Sequence, residues 1–320
     1  MSAHTHDHAD HDHDHGHGHA HHHGHHHGHA HGPVDTGDWR YAVGLVVNLA
    51  FVICEFAAGL IADSTALLAD AGHNLSDVLG LAMAGGAAWL ARRGGHGVAG
   101  GRRTYGYGKA TVLAALGNAL LLIFACGAIA LEAVRRFAEP APVGSTTIMV
   151  VAGIGFFINL GTALLFMKSQ HDLNARGAYL HMMADAGVSL GVVIAGGVIM
   201  MTGWSLIDPL VSLGIVAVIL ISTWGLLKDS VNLAMDGAPS AVDVQALERA
   251  LTALPGVAAV HDLHVWGLST TDTALTAHLV HVRSDATALL VEAQAVARRF
   301  SIQHTTLQLE TEALPDCPGC

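Results

Sequence analysis

The chain has 320 residues, 52 % of them hydrophobic and 13 % charged, with a mean hydropathy of +0.45. It is too apolar for an ordinary soluble enzyme and points to a membrane. The formal charge of -11 and the 25 His, 16 of which precede residue 32, favour cations over nucleic acid as partners.

Residues 1–38 are His, Asp, Gly and Ala at low complexity and cannot bury a core, so a disordered His-rich tail is expected, one that binds several metal ions weakly. The start of the chain lacks the basic and apolar regions of a signal peptide, so the first membrane helix is expected to direct insertion. Apolar runs near 41–62, 66–91, 110–134, 146–167, 177–201 and 205–227 each approach the ~20 residues that cross a bilayer. They predict six transmembrane helices within a membrane domain spanning 39–235. Arg40, Arg92, Arg93, Arg102, Arg103, Lys109, Lys168, Arg176 and Lys228 fall on one side of the predicted spans. That asymmetry predicts cytoplasmic termini. Arg135 and Arg136 fall on the other side and are expected to snorkel at the interface.

Beyond a hinge at Gly237 and Pro239, the pattern predicts a small αββαβ domain over 236–314. Its predicted elements are a helix over Val242–Leu254, strands over Val257–Leu268 and Thr273–Val282, a helix over Asp285–Phe300 and a strand over Thr305–Thr311. Residues 315–320 form a tail ending in Cys317-Pro-Gly-Cys320. Cys54 and Cys126 lie in apolar runs, so the four cysteines suggest a reducing compartment and no disulfide framework.

The most informative residues are ionisable groups within the apolar runs, since each charge at the bilayer centre costs ~2.5–3.5 kcal/mol on insertion scales. His73 and Asp77 are spaced i,i+4 in the second run, and His181 and Asp185 repeat the spacing in the fifth. Each pair shares one helix face, about 6 Å apart along the axis. Two such helices packed face to face offer a tetrahedral set of two imidazoles and two carboxylates, a donor set that suits Zn2+ better than Ca2+ or Mg2+. An intrahelical salt bridge explains one pair; the repetition favours a metal site. Asp70 and Glu55 are candidates for supporting roles. Gly187 and Gly191, with Ala184 and Ala195, are expected to admit a neighbouring helix, and Asn48, Asn118 and Asn159 to bond between helices.

In the small domain, His261 and His264 differ by three and are expected on opposite faces of their strand, as are His278 and His281. A hairpin turning near Ser269 and Thr270 sets His261 opposite His278, with Glu310 on the last strand available to complete a cluster. Cys317 and Cys320 have chelating spacing but need two further ligands.

Ala66-Leu-Leu-Ala-Asp-Ala-Gly-His-Asn-Leu-Ser-Asp77 and His261-Asp-Leu-His-Val-Trp266, together with the paired His-x-x-x-Asp sequences, resemble the cation diffusion facilitator family over roughly 39–314. The resemblance implies a mostly α membrane protein with six spans, followed by a cytoplasmic ferredoxin-like domain that binds metal and pairs two chains into a homodimer. It implies divalent metal efflux in exchange for protons, chiefly of Zn2+, with Cd2+, Co2+, Fe2+ and Ni2+ as further candidates, in the lipid bilayer of the bacterial inner membrane. It assigns His73, Asp77, His181 and Asp185 to the transport site and His261, His278 and Glu310 to a cytoplasmic one. Leu307-Gln308-Leu309-Glu310 departs from the His-and-Asp ending of some members, while the Cys-x-x-Cys tail is similar to that of the vesicular zinc transporters.

Two rival readings are a zinc uptake channel, for which His73-Asn-Leu-Ser-Asp77 also fits, and a membrane-tethered metal store or sensor. The channel family predicts eight helices and a second His/Glu-rich helix, which the sequence lacks. No nucleophile constellation or phosphate-binding Gly-rich loop suggests an enzyme.

Overall fold

A computed structural model describes residues 39–93, 102–166 and 173–312. Six long helices come first: α1 (Trp39–Ala62), α2 (Thr65–Arg93), α3 (Lys109–Ala138), α4 (Ser145–Phe166), α5 (Leu173–Thr202) and α6 (Ile207–Ala234). Among the described residues four stretches are long and apolar enough to cross a membrane: Lys109–Ala138, Ser145–Leu164, Tyr179–Thr202 and Ile207–Ala234. In α1 the apolar stretch described is Asn48–Ala62. α2 carries Asp70, His73, Asn74, Asp77, Arg92 and Arg93, and this polar content lowers its hydropathy.

The bundle is built for an apolar surround. Phe124, Phe157, Ile194, Ile221 and Trp224 point outward, while Ala69, Ala119, Ala152 and Ala163 are buried between helices. Large apolar residues outside and small ones at the contacts is what lipid permits, because lipid gives no hydrophobic reward for burying leucine. α4 packs along α5, α3 along α6, and α2 against α1, α3 and α6. The α2–α3 approach is close at Gly80, where a Cβ would lie 2.7 Å from Asn118 Nδ2. Gly187 and Gly191, by contrast, have nothing within 4 Å of a Cβ position. The expected close approach on α5 occurs instead at Gly196, against Met149 and Ile148 of α4.

Arg136 does not snorkel. It is buried, and its guanidinium donates to the backbone carbonyl and carboxylate of Asp63 in the α1–α2 turn and to Glu132. Only Arg135 is exposed. The local pairing of an arginine with a turn carbonyl outweighs its reach for the interface.

After α6 come α7 (Val244–Thr252), β1 (Val257–Gly267), β2 (Thr273–His281), α8 (Ala286–Arg299) and β3 (His304–Glu310), in the αββαβ order. Asp243 and Asp285 cap the two helices, accepting from Ala246 N and Ala288 N, each at 2.9 Å, so Asp285 is the cap of its helix and not part of it. The sheet has the order β1-β2-β3, antiparallel then parallel. Leu275, Ala277 and Leu279 on one face pack with Leu247, Leu251, Ala293 and Val296 of the helices.

The two parts meet at the start of α3. Lys109 Nζ donates to Leu233 O at 2.7 Å and to Asp236 at 2.6 Å, and Thr270 N in the β1–β2 turn donates to Thr111 Oγ1 at 3.1 Å. Beside them a Cβ on Gly108 would lie 2.7 Å from Leu268 O, so only glycine allows that approach.

Candidate metal centres

Helical spacing fixes each half of the first centre and packing joins the halves. His73 and Asp77 project from α2 toward α5, and His181 and Asp185 project back. His73 Nε2 lies 3.2 Å from Asp185 Oδ1 and 3.8 Å from Asp77 Oδ2, while His181 Nε2 lies 3.2 Å from Asp77 Oδ2 and 3.5 Å from Asp185 Oδ2. The imidazoles meet edge to face with centroids 6.1 Å apart. Each Nε2 therefore faces both carboxylates. A neutral imidazole nitrogen donates at most one hydrogen bond, so each Nε2 has more carboxylate oxygens around it than hydrogen bonding to a neutral ring can satisfy. Asp185 is only 3 % exposed, so its charge has little help from water.

Neighbouring polar groups tie α2 of this centre to α1 and α3, and also to α5. Asn74 Nδ2 donates to Glu55 Oε2 at 3.1 Å (α2 to α1), Ser76 Oγ to Asn118 Oδ1 at 3.3 Å (α2 to α3), and Ser189 Oγ to Asp70 Oδ2 at 3.1 Å (α5 to α2). Glu55 and Asp70 are fully buried beside the cluster, bonded to Asn74 and Ser189. Asn118 bonds between helices as expected, whereas buried Asn159 has no partner for Nδ2 among the described residues.

The second centre lies on the sheet face away from α7 and α8. His261 pairs directly with His278, and their rings lie 5.0 Å apart. Glu310 reaches both, with Oε2 3.1 Å from His261 Nε2 and Oε1 3.0 Å from His278 Nδ1. Gln308 holds Glu310 Oε1 through an Nε2 donor at 2.8 Å. His261, His278 and Glu310 thus have ligand atoms within 4.8 Å of one another, as do His73, Asp77 and Asp185.

One expectation here fails. His261 pairs with His278 and His264 with Thr276, and residues 276 and 278 share a face, so His261 and His264 share one too. A β-bulge lies between them, with Asp262 at φ 50°. An extra residue in one strand cancels the parity of a three-residue step. The bulge also swings in a residue that sequence reasoning passed over: the Asp262 carboxylate lies 2.7 Å from His264 Nε2 and 3.6 Å from His278 Nε2. An aspartate beside a histidine in a strand rich in ionisable groups was the available signal. His281 is buried, its Nδ1 accepting from Arg283 N at 3.2 Å, and His304 stacks edge-on with Tyr105. Cys317, Cys320, His96, His171 and the His-rich segment lie outside the described residues.

Apolar helices with two clusters of imidazole and carboxylate define an integral membrane protein equipped to handle divalent cations. The cation efflux transmembrane domain matches residues 41–233 and the cation efflux protein cytoplasmic domain residues 239–312. The chain is 37 % identical over 272 residues to the metal cation efflux system protein CzcD of Cupriavidus metallidurans, covering 84 % of this chain and 85 % of that one. It is 34 % identical over 281 residues to the cadmium, cobalt and zinc/H(+)-K(+) antiporter of Bacillus subtilis, with 85 % and 88 % covered. To the zinc transporter ZitB of Escherichia coli it is 35 % identical over 292 residues, with 89 % and 92 % covered. The chain belongs to the cation diffusion facilitator family, and is a transporter that moves divalent metal cations by efflux.

Proposed function

We propose that this chain exports chiefly Zn2+ from the cytoplasm in exchange for protons, with His73, Asp77, His181 and Asp185 as the ligands in transit. The observation that carries this reading is that two imidazoles, His73 on α2 and His181 on α5, each face both Asp77 and Asp185 at 3.2–3.8 Å. Two imidazoles and two carboxylates match the tetrahedral preference of Zn2+. Cd2+, Co2+, Fe2+ and Ni2+ are lesser candidates for the same donors. Relatives named for zinc, and for cadmium, cobalt and zinc together, support these three ions as candidates.

Proton exchange follows from the ligand chemistry. Zn2+ requires the Nε2 lone pairs and ionised carboxylates, so loading the ion expels protons, and protons arriving from the far side expel the ion. The helices alternate access to the site, all six (39–235) crossing the bilayer of the bacterial inner membrane, with both termini cytoplasmic as the Lys and Arg distribution favours. Residues 236–314 form a cytoplasmic, ferredoxin-like domain that holds Zn2+ at His261, His278 and Glu310 and pairs two chains into a homodimer; the named dimer-forming role of the matching domain family supports the pairing. The tail Cys317 and Cys320 and the His-rich residues 1–38 act as accessory metal ligands.

The test is Zn2+ flux into proteoliposomes with and without an imposed pH gradient. Gradient-dependent flux lost in His73→Ala is expected; undiminished flux in that variant rejects the site, and gradient-independent flux rejects the exchange.

A further inference from the structure

The α1–α2 turn, at the end of the bundle away from the sheet domain, is bonded residue by residue to other helices. Gly144 N, just before α4, donates to Ala62 O at 2.8 Å. Arg136 of α3 donates to the carbonyl and carboxylate of Asp63, which adopts a positive φ of 52°. Asp208, in the first turn of α6, accepts from Thr65 N at 2.7 Å, Thr65 Oγ1 at 2.8 Å, Ala66 N at 3.4 Å and Ser64 Oγ. Ser64 Oγ in turn accepts from Leu67 N at 3.1 Å.

A helix begins with four backbone N–H groups that lack partners within it. Here the first three, of Thr65, Ala66 and Leu67, are satisfied by one local cap, Ser64, and by a carboxylate 143 positions away in the chain. Asp208 is 1 % exposed and Ser64 and Thr65 no more so, so water cannot substitute. The anion also lies at the positive end of the α2 dipole. None of the bonds made by this turn among the described residues comes from α5, the helix that supplies His181 and Asp185.

We infer that Asp208 is a positioning residue for the transport site: capping α2 from α6, and with Arg136 holding the turn, it fixes the rotation and depth of His73 and Asp77 relative to α5. His73 follows Thr65 by eight residues, about 12 Å along a rigid helix. A one-residue slip of α2 turns its side chains by about 100° and moves them by about 1.5 Å, enough to withdraw His73 and Asp77 from His181 and Asp185. The inference rests on the transport reading above.

The test measures Zn2+ affinity and flux of the full chain, per folded molecule by size exclusion, for the parent, Asp208→Ala, Asp208→Asn and Ser64→Ala. The binding that Asp185→Ala lacks defines the membrane site. Asp208→Ala is expected to weaken that binding and raise the KM for Zn2+ about tenfold or more, while Asp208→Asn, whose amide oxygen still accepts from Thr65 N, loses less. Folded Asp208→Ala with parental affinity and KM overturns the inference. If that variant does not fold, parental affinity and KM in both Asp208→Asn and Ser64→Ala overturn it equally. A parent that binds Zn2+ at this site but carries none refutes the transport reading, and the binding series still decides the role of Asp208.

Discussion

Asp185→Asn exchanges one oxygen for an amide nitrogen at nearly constant volume, at a position 3 % exposed, so it alters charge with little change in packing. In the parent, the two carboxylate oxygens lie 3.2 Å from His73 Nε2 and 3.5 Å from His181 Nε2. The substitution halves the anionic charge of the cluster, leaving Asp77 as the lone carboxylate against a divalent ion. Removing one partner of a buried charge pair costs about 3–5 kcal/mol. At 1.4 kcal/mol per decade that is a loss of about two to three and a half decades in Zn2+ affinity. The amide oxygen retains some ligation, which places the expected loss near the lower figure. The assay is calorimetric titration of Zn2+ into purified protein, read against flux in proteoliposomes carrying a trapped zinc dye. An affinity within about threefold of the parent, in protein that folds normally, refutes the assignment of Asp185 as a ligand.

His278→Ala removes the shared member of the second centre, and is expected to lower bound zinc by one equivalent per chain in equilibrium dialysis while leaving the membrane site loaded. Gly108→Ala drives a Cβ to 2.7 Å from the backbone oxygen of Leu268, so the turn must move; a loss of about 1–3 kcal/mol, seen as a lower melting temperature, is expected. Zn2+ affinity at the membrane site rises with pH, because protons occupy the same Nε2 and carboxylate positions as the ion. Titration across mildly acidic to neutral pH checks this sign; pH-independent affinity contradicts it.

The two His/Asp pairs of the membrane cluster were legible because the helix has a fixed period. His73 and Asp77, or His181 and Asp185, share a face in any α-helix, and an ionisable residue in an apolar run requires a partner. The αββαβ order was legible for a similar reason, with strand alternation marking β1 and β2, whereas the caps Asp243 and Asp285 fell inside the expected helices and only the structure set them at the helix starts. The bulge at Asp262 was not, since one extra residue leaves composition unchanged yet reverses the facing of everything beyond it.

The sequence by itself determined which His and Asp residues would share a helix face and which segments would be helices, because both depend on contacts within a few positions of the chain. Tertiary structure alone decided that Asp185 stands opposite His73, that Glu310 joins two strands, and that Asp208 completes the start of α2. Those contacts join residues tens to more than a hundred positions apart, and helix packing and strand register, not local periodicity, bring them together.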